Sequence, residues 1–253
     1  MTSTAAQVAF KCGWSVRTPQ LVSNKREFRC WAASTPLETL PAVALRELES
    51  IMSIVDYNSG HILFLEQESL SQVFVVIAGE VRLSLQDAGG RRLTLRVAKR
   101  GAVLGMHSTL FGSPSEWSAD TLFPSKIGLI ERSAFLRFAQ RHPEINQLAA
   151  IELMTIHRNA CATLRIVGLT TCVRKRLASQ LLEWGQRGNI TGDQTQFRMA
   201  LTHSQIAEFI GAVRETVTRA LIAFKQRGLV EIRGSMLRIP STTALRMYAE
   251  RGH

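Results

Sequence analysis

The spacing of apolar residues changes period along this chain, and each change predicts a different kind of element. The run Pro41-Ala-Val-Ala-Leu-Arg-Glu-Leu-Glu-Ser-Ile-Met puts proline at a first helical turn and apolar residues at helical spacing. From Tyr57 onward the runs become short and strand-like, at 62–65, 73–77, 81–85, 93–97, 101–105 and 126–130. Ser59-Gly60, Ala78-Gly79 and Gly89-Gly90 punctuate them, the last pair suiting a hairpin turn. Many short strands separated by glycine predict a barrel or rolled sandwich. After Pro143 the helical period returns: Ile145, Leu148, Leu153, Ile156, Ala160 and Leu164 keep it to about Leu169, with no glycine or proline before Gly168. Met154, His157 and Cys161 form a second stripe on the same helix. A helix with two apolar sides packs one against its own domain and the other against a further surface, commonly a second copy of itself.

The C-terminal third carries the sharpest local pattern. Thr202 followed three residues later by Gln205 is a capping box ahead of an apolar run, and Gly211 suits the helix end and a tight turn. A second helix runs over 214–227 and stops at Gly228. At about 100° per residue, with Val213 at zero, Val217, Ala220, Leu221 and Phe224 fall on one face, and Arg214, Glu215, Thr218 and Arg219 on the other. Residues 229–239 alternate apolar and polar positions on both sides of Gly234-Ser235, a short hairpin or wing. Helix, glycine turn, helix and wing make a winged helix-turn-helix. On such a second helix the N-terminal side chains meet base edges in the major groove. Arginine pairs with guanine O6 and N7, and glutamate accepts from cytosine N4. For an isolated helix a charged face is ordinarily just solvated; the helix, turn and wing around it favour DNA.

Charge strengthens that reading by its position. The 253 residues hold 31 Lys and Arg against 20 Asp and Glu, a net charge of +11. Residues 1–36 carry +4 and residues 170–253 carry +7, whereas 37–141 and 142–169 are neutral. A basic excess of this kind points to an acidic partner, nucleic acid ahead of membrane. No apolar run reaches the ~18 residues of a membrane span, and no secretory signal is recognisable, so a cytoplasmic protein is expected. Cys12, Cys30, Cys161 and Cys172 are scattered without C-x-x-C or zinc-ligand spacing, and read as reduced thiols, the last two as small helix-packing residues. The chain lacks the phosphate-loop, nucleophile-elbow, zincin and dinucleotide motifs, so an enzyme is not expected. The competing class is a winged-helix scaffold that mediates protein contacts only, which would have no need of the Arg214, Glu215 and Arg219 face.

Over residues 37–250 the sequence resembles the superfamily of the cyclic-AMP receptor protein and the fumarate–nitrate reduction regulator. Arg214-Glu-Thr-Val-Thr-Arg219 is similar to the recognition-helix motif of the cyclic-AMP receptor branch, and Thr202, His203 and Ser204 stand where that family contacts backbone phosphates. The resemblance implies an α+β chain with four parts. These are a basic, poorly ordered extension over 1–36, a β-roll like a cyclic-nucleotide-binding jelly roll over 37–141, a dimerisation helix over 142–169 and a winged helix-turn-helix over 170–253. It further implies a homodimer on palindromic double-stranded DNA, with RNA polymerase as a partner and no membrane.

The effector segment departs from that family's pattern. It reads Gly101-Ala-Val-Leu-Gly105-Met106-His107 and continues to Trp117-Ser118-Ala119. The framing glycines and the Ser-Ala pair match. Met106 stands where the family has the ribose-binding glutamate, and Trp117 where it has the phosphate-binding arginine. Loss of that arginine removes the charge-assisted fork on phosphate, so cyclic AMP is not the expected ligand and the effector is unknown. An iron–sulfur sensor is excluded by the cysteine spacing. The haem-based branch of the superfamily carries Cys-Met-His-Ser at this turn, and Met106-His107-Ser108 matches three of those four residues, which leaves a haem-dependent gas sensor using His107 as the alternative.

Overall fold

The computed structural model describes residues 20–21 and 35–251. The chain separates into two compact units, and one long helix runs from the first into the second.

The first unit is the rolled sandwich that the strand runs predict. Its five-stranded sheet has the order β1 (Gln20–Leu21), β2 (Met52–Tyr57), β9 (Ser125–Glu131), β4 (Gln72–Ala78), β7 (Val103–Leu104). A four-stranded sheet has the order β3 (Ile62–Phe64), β8 (Ser118–Thr121), β5 (Val81–Gln86), β6 (Arg92–Ala98). The unbroken apolar run of β4 has a direct cause: Val73 to Ile77 are all buried because both faces of this strand are covered. Val76, with Phe64, Phe74, Leu83 and Ile127, fills the space inside the roll. Val73, Val75 and Ile77 instead pack with α1 (Ala42–Ser50), α3 (Arg132–Arg141) and the first turns of α4 (Glu144–Leu169). Gly128 sits where a side chain would collide with Met52 Sδ at 1.9 Å. Arg82 and Asp120, directly opposite in β5 and β8, form a buried two-pronged ion pair at 2.6 and 3.1 Å. Removing either partner would leave an uncompensated buried charge.

Several boundaries differ from the pattern. The first helix ends at Ser50, and Met52 opens β2 because β2 pairs along its whole length with β9. The 101–105 run yields only two residues of strand, followed by a short helix, α2 (Met106–Phe111). Most of the extension expected over 1–36 lies outside the described residues, as do Cys12 and Cys30. Within it, Gln20 and Leu21 pair with Asp56 and Val55 as an edge strand. Thr35 accepts from the Leu37 amide and caps the short 3-10 turn Pro36–Thr39.

The second unit contains α5 (Val173–Gly185), the hairpin β10 (Asn189–Thr191) and β11 (Gln194–Arg198), α6 (His203–Ile210), α7 (Arg214–Gln226), the wing strands β12 (Glu231–Arg233) and β13 (Met236–Ile239), and α8 (Thr242–Arg251). Its sheet order is β10-β11-β13-β12, all antiparallel. Leu177, Leu181, Ile206, Ile210, Val217, Phe224, Leu237 and Leu245 make one core beneath it. Among the described residues no helix is long and apolar enough to cross a membrane.

Asp193, in the β10–β11 turn, closes this unit by capping α8. Its carboxylate accepts from the hydroxyls of Ser241, Thr242 and Thr243 at 2.6 to 2.9 Å and from the Thr243 amide at 3.0 Å. Those hydroxyls hold the carboxyl far below the usual carboxylate range. A depressed folded-state pKa stabilises the fold above the unfolded value of 3.8, and that contribution fades as pH falls toward the folded value. Asp193→Asn is therefore expected to lower the urea midpoint at neutral pH, with the gap from wild type closing below about pH 4. Urea titrations followed by circular dichroism across that range check this; a gap that does not change with pH would remove the ionised carboxylate as its source.

Candidate nucleic-acid interface and sensor pocket

The helix-turn-helix is built as the sequence pattern dictates. Thr202 is in extended backbone and its side chain accepts from the Gln205 amide at 3.2 Å, while the Thr202 amide donates to Gln205 Oε1 at 2.8 Å. Both halves of the capping box are present, which satisfies two amides at the N-terminus of α6. Gly211 ends α6 at φ +58, a left-handed conformation, and a Cβ there would sit 3.0 Å from Val167 Cγ1. On α7, Val217, Ala220, Leu221 and Phe224 are buried, and Arg214, Glu215 and Arg219 are exposed. The wing turns at Gly234, φ +57, with Arg233 opposite Met236.

Two of the predicted site residues also hold the two helices together. His203 is half-buried and its Nδ1 lies 2.8 Å from Thr218 Oγ1. The Thr218 hydroxyl donates to the Arg214 carbonyl at 3.0 Å, so His203 Nδ1–H donates to it. Thr218 is thereby occupied within the protein, whereas Thr202 and Ser204 are exposed at the head of α6. Arg219 reaches Thr216 Oγ1 at 3.3 Å.

Sequence reasoning treated Arg174, Lys175 and Arg176 as a contribution to the electrostatic field. The structure gives two of them definite structural contacts. Arg176 donates from Nε to the Thr170 carbonyl at 2.5 Å and from one terminal nitrogen to the carbonyls of Ile210 and Gly211 at 3.2 and 3.3 Å. It satisfies carbonyls at the C-terminus of α6 that the helix itself cannot pair. Lys175 Nζ donates to the Glu250 carbonyl at 2.7 Å, joining α5 to α8. Tyr248 of α8 stacks edge-on against Phe224 at 5.2 Å, with the Arg227 guanidinium 5.5 Å from its ring centre. No local spacing announces these partners, which lie far apart in sequence. Cys172 is not a packing residue: it is exposed at the N-cap of α5, and the Lys175 and Arg174 amides and charges pull its thiol below the usual range.

In the roll, the effector segment forms a closed site. Gly105, φ +75, caps the N-terminus of α2, and a Cβ there would meet Leu70 Cδ1 at 2.7 Å. Met106 and Trp117 are 2% and 5% exposed. His107 packs on the Trp117 ring at 4.7 Å between centres, and its Nε2 lies 3.1 Å from Ser108 Oγ. Burial pushes the His107 imidazole below its ordinary pKa, against a smaller opposing effect of Glu116, so it is neutral at pH 7.

The cavity left between these residues is about 10 Å³, lined also by Leu83, Val103, Leu104, Ala149, Glu152, Leu153 and Ile156. That is room for about one water, against the ~300 Å³ or more of a small-molecule pocket. Gly101, Ser118 and Ala119 stand outside its lining. Ser118 Oγ accepts from the Glu66 amide at 2.9 Å, and Ala119 is buried in the roll's core. Glu152 is the one ionised side chain in the lining, and Arg96 takes its carboxylate at 2.5 and 3.3 Å. A cyclic phosphate finds no cation here, and a haem finds neither space nor a histidine nitrogen facing it. The residues fit neither group. Ile156 escaped the sequence reading of this site, although its helical spacing from Ala149 and Leu153 was visible.

Residues 175–248 match the model of the Crp-like helix-turn-helix domain, and residues 54–142 that of the cyclic nucleotide-binding domain. A CRP-like cAMP-activated global transcriptional regulator of Mycobacterium tuberculosis is 30% identical over 206 residues, covering 80% of this chain and 90% of that one. The nitrogen fixation regulation protein FixK of Bradyrhizobium diazoefficiens is 26% identical, covering 79% and 83%. The solved structure of FixK2 from Bradyrhizobium japonicum superposes with a TM-score of 0.65 at 21% identity, over 77% of this chain and 96% of that one. With a roll, a long helix and a capped helix-turn-helix in that order, the chain belongs to the Crp/Fnr superfamily of transcription regulators.

Proposed function

We propose that this protein is a homodimeric, sequence-specific DNA-binding regulator whose cyclic-nucleotide-type pocket is filled by its own side chains. The observation that carries the reading is the exposed Arg214, Glu215 and Arg219 face on a helix whose position is fixed by a capping box, the His203–Thr218 contact and Arg176. Arg214 and Arg219 read guanine edges and Glu215 the cytosine edge, with Thr202 and Ser204 on backbone phosphates and His203 and Thr218 as positioning residues. The +7 charge of residues 170–253 supplies sequence-independent attraction to the duplex.

Pairing runs through α4, where Met154 and Leu164 are 60% and 66% exposed on the stripe that faces away from the roll. Two copies place their recognition helices in successive major grooves, about 34 Å apart, on a palindromic site. RNA polymerase is the partner that the family implies. The Mycobacterium tuberculosis relative is named for activation by cyclic AMP. In this chain Met106, Trp117 and Ile156 occupy the corresponding space and no cation awaits a phosphate, so DNA binding runs without that effector.

Site selection from random duplexes is expected to return a two-fold palindrome. Arg214→Ala is expected to lose ~1–3 kcal/mol on the selected site, to accept other bases at one position, and to bind random DNA almost as wild type. Arg176→Met, which loosens the end of α6, is expected to weaken specific and random binding together. Equal losses for Arg214→Ala on both DNAs would sink the base-reading role. For the pocket, calorimetric titration with cyclic AMP is expected to show no micromolar binding, and the purified protein no Soret band. Micromolar binding, or a Soret band lost in His107→Ala, would overturn the filled-pocket reading.

A further inference from the structure

The outward stripe of α4 holds two side chains that packing alone does not call for. Met154, His157, Cys161 and Leu164 are spaced three, four and three residues apart, the alternation of a two-stranded seam. At about 100° per residue they share an arc of roughly 80°, turned away from Ala149, Glu152 and Ile156, which line the roll's cavity. Met154, Leu164 and His157 are exposed, and Cys161 is half-buried and reduced. At the centre of an apolar seam an imidazole and a thiol cost free energy unless something satisfies them.

Histidine and cysteine four residues apart on one helix face have the spacing with which a single helix gives two ligands to one metal ion. The Cα–Cβ bonds of a helix tilt toward its N-terminus, so Cys161 leans back over the turn that carries His157. A second copy on this stripe doubles the pair to two imidazole nitrogens and two sulfurs. That is the tetrahedral donor set of structural zinc, with sulfur at ~2.3 Å and nitrogen at ~2.0–2.1 Å. Among the described residues no group of three or more His, Cys, Asp or Glu stands together in one chain, as expected of a half-site.

We propose that His157 and Cys161 of both copies bind one zinc-type ion in the α4 seam. The proposal rests on the homodimer reading above. Each thiol gives its proton to solvent as its zinc–sulfur bond forms, so metal binding, deprotonation and pairing are one linked equilibrium. Thiolate and imidazole donors select zinc over magnesium or calcium.

The test is cobalt(II) titration of reduced, chelator-treated full-length protein, with light scattering on the same samples. Expected are one cobalt per two chains, a thiolate-to-cobalt charge-transfer band, the visible bands of a tetrahedral site, and their loss on adding zinc. Cys161→Ser should abolish the charge-transfer band and His157→Ala should weaken metal affinity by more than about tenfold. Thermal melts by circular dichroism confirm that both variants fold. A dimer that binds no cobalt overturns the metal site and leaves the dimer standing. A chain that stays monomeric with and without metal overturns both, the dimer directly. An unchanged charge-transfer band in Cys161→Ser assigns the metal to other cysteines and overturns the proposal as well.

Discussion

Helix α4 has more apolar surface than its own roll can bury, and that imbalance organises the molecule. Its first turns give Ile145, Leu148 and Ala149 to the core beneath the five-stranded sheet. One turn further on, Glu152 and Ile156 close the sensor cavity. The opposite stripe remains outside, with Met154 and Leu164 mostly accessible. A monomer would hold these side chains in water at a cost of roughly 25 cal/mol for each Å² that a partner could cover. The helix therefore couples whatever happens in the roll to whatever pairs along its outer stripe.

Inside the roll, volume has replaced charge. A phosphate pocket keeps a cation waiting in a low-dielectric site, which is expensive until the anion arrives. Trp117 in the corresponding place is buried against His107, Met106 and Leu83 and needs no ligand to complete it. The remaining polar groups are matched to one another: Glu152 to Arg96, and His107 to Ser108. A ligand shifts an equilibrium only by its different affinity for two states. A site with about 10 Å³ of space offers cyclic nucleotides no such difference.

What the sequence revealed depended on the range of the interactions. The recognition helix was legible because its core residues recur every three or four positions and because Thr202, Gln205 and Gly211 mark its surroundings within a dozen residues. The central strands of the roll were legible as apolar runs, though β8, which mixes Ser118, Ala119, Asp120 and Thr121, was not. Helix α2 was hidden because six residues of Met106–Phe111 hold less than two turns of period. The contacts of Arg176 with Ile210 and Gly211, and of Asp193 with Ser241 to Thr243, join residues 34 to 50 positions apart. Nothing local distinguishes Arg176 from its neighbours Arg174 and Lys175. At the sensor, the missing arginine could be read directly, but that Trp117 fills the vacancy follows only from the packing.

Those long-range contacts bear on how DNA would be recognised. A recognition helix held only by its apolar face would order on the duplex, and that ordering would subtract from affinity. Here α7 is anchored at its N-terminal end by Thr218 through His203, and toward its C-terminal end by Tyr248 against Phe224 and Arg227. Arg176 secures the end of α6 immediately before the turn. The side chains proposed to meet bases are then the most mobile groups on a fixed scaffold, and the cost of fixing them falls on a few rotamers. The diffuse positive charge brings any duplex to the surface, and a rigidly presented Arg214, Glu215 and Arg219 distinguish one sequence from another. Loosening the scaffold would reduce both kinds of binding, whereas altering the face would reduce only discrimination.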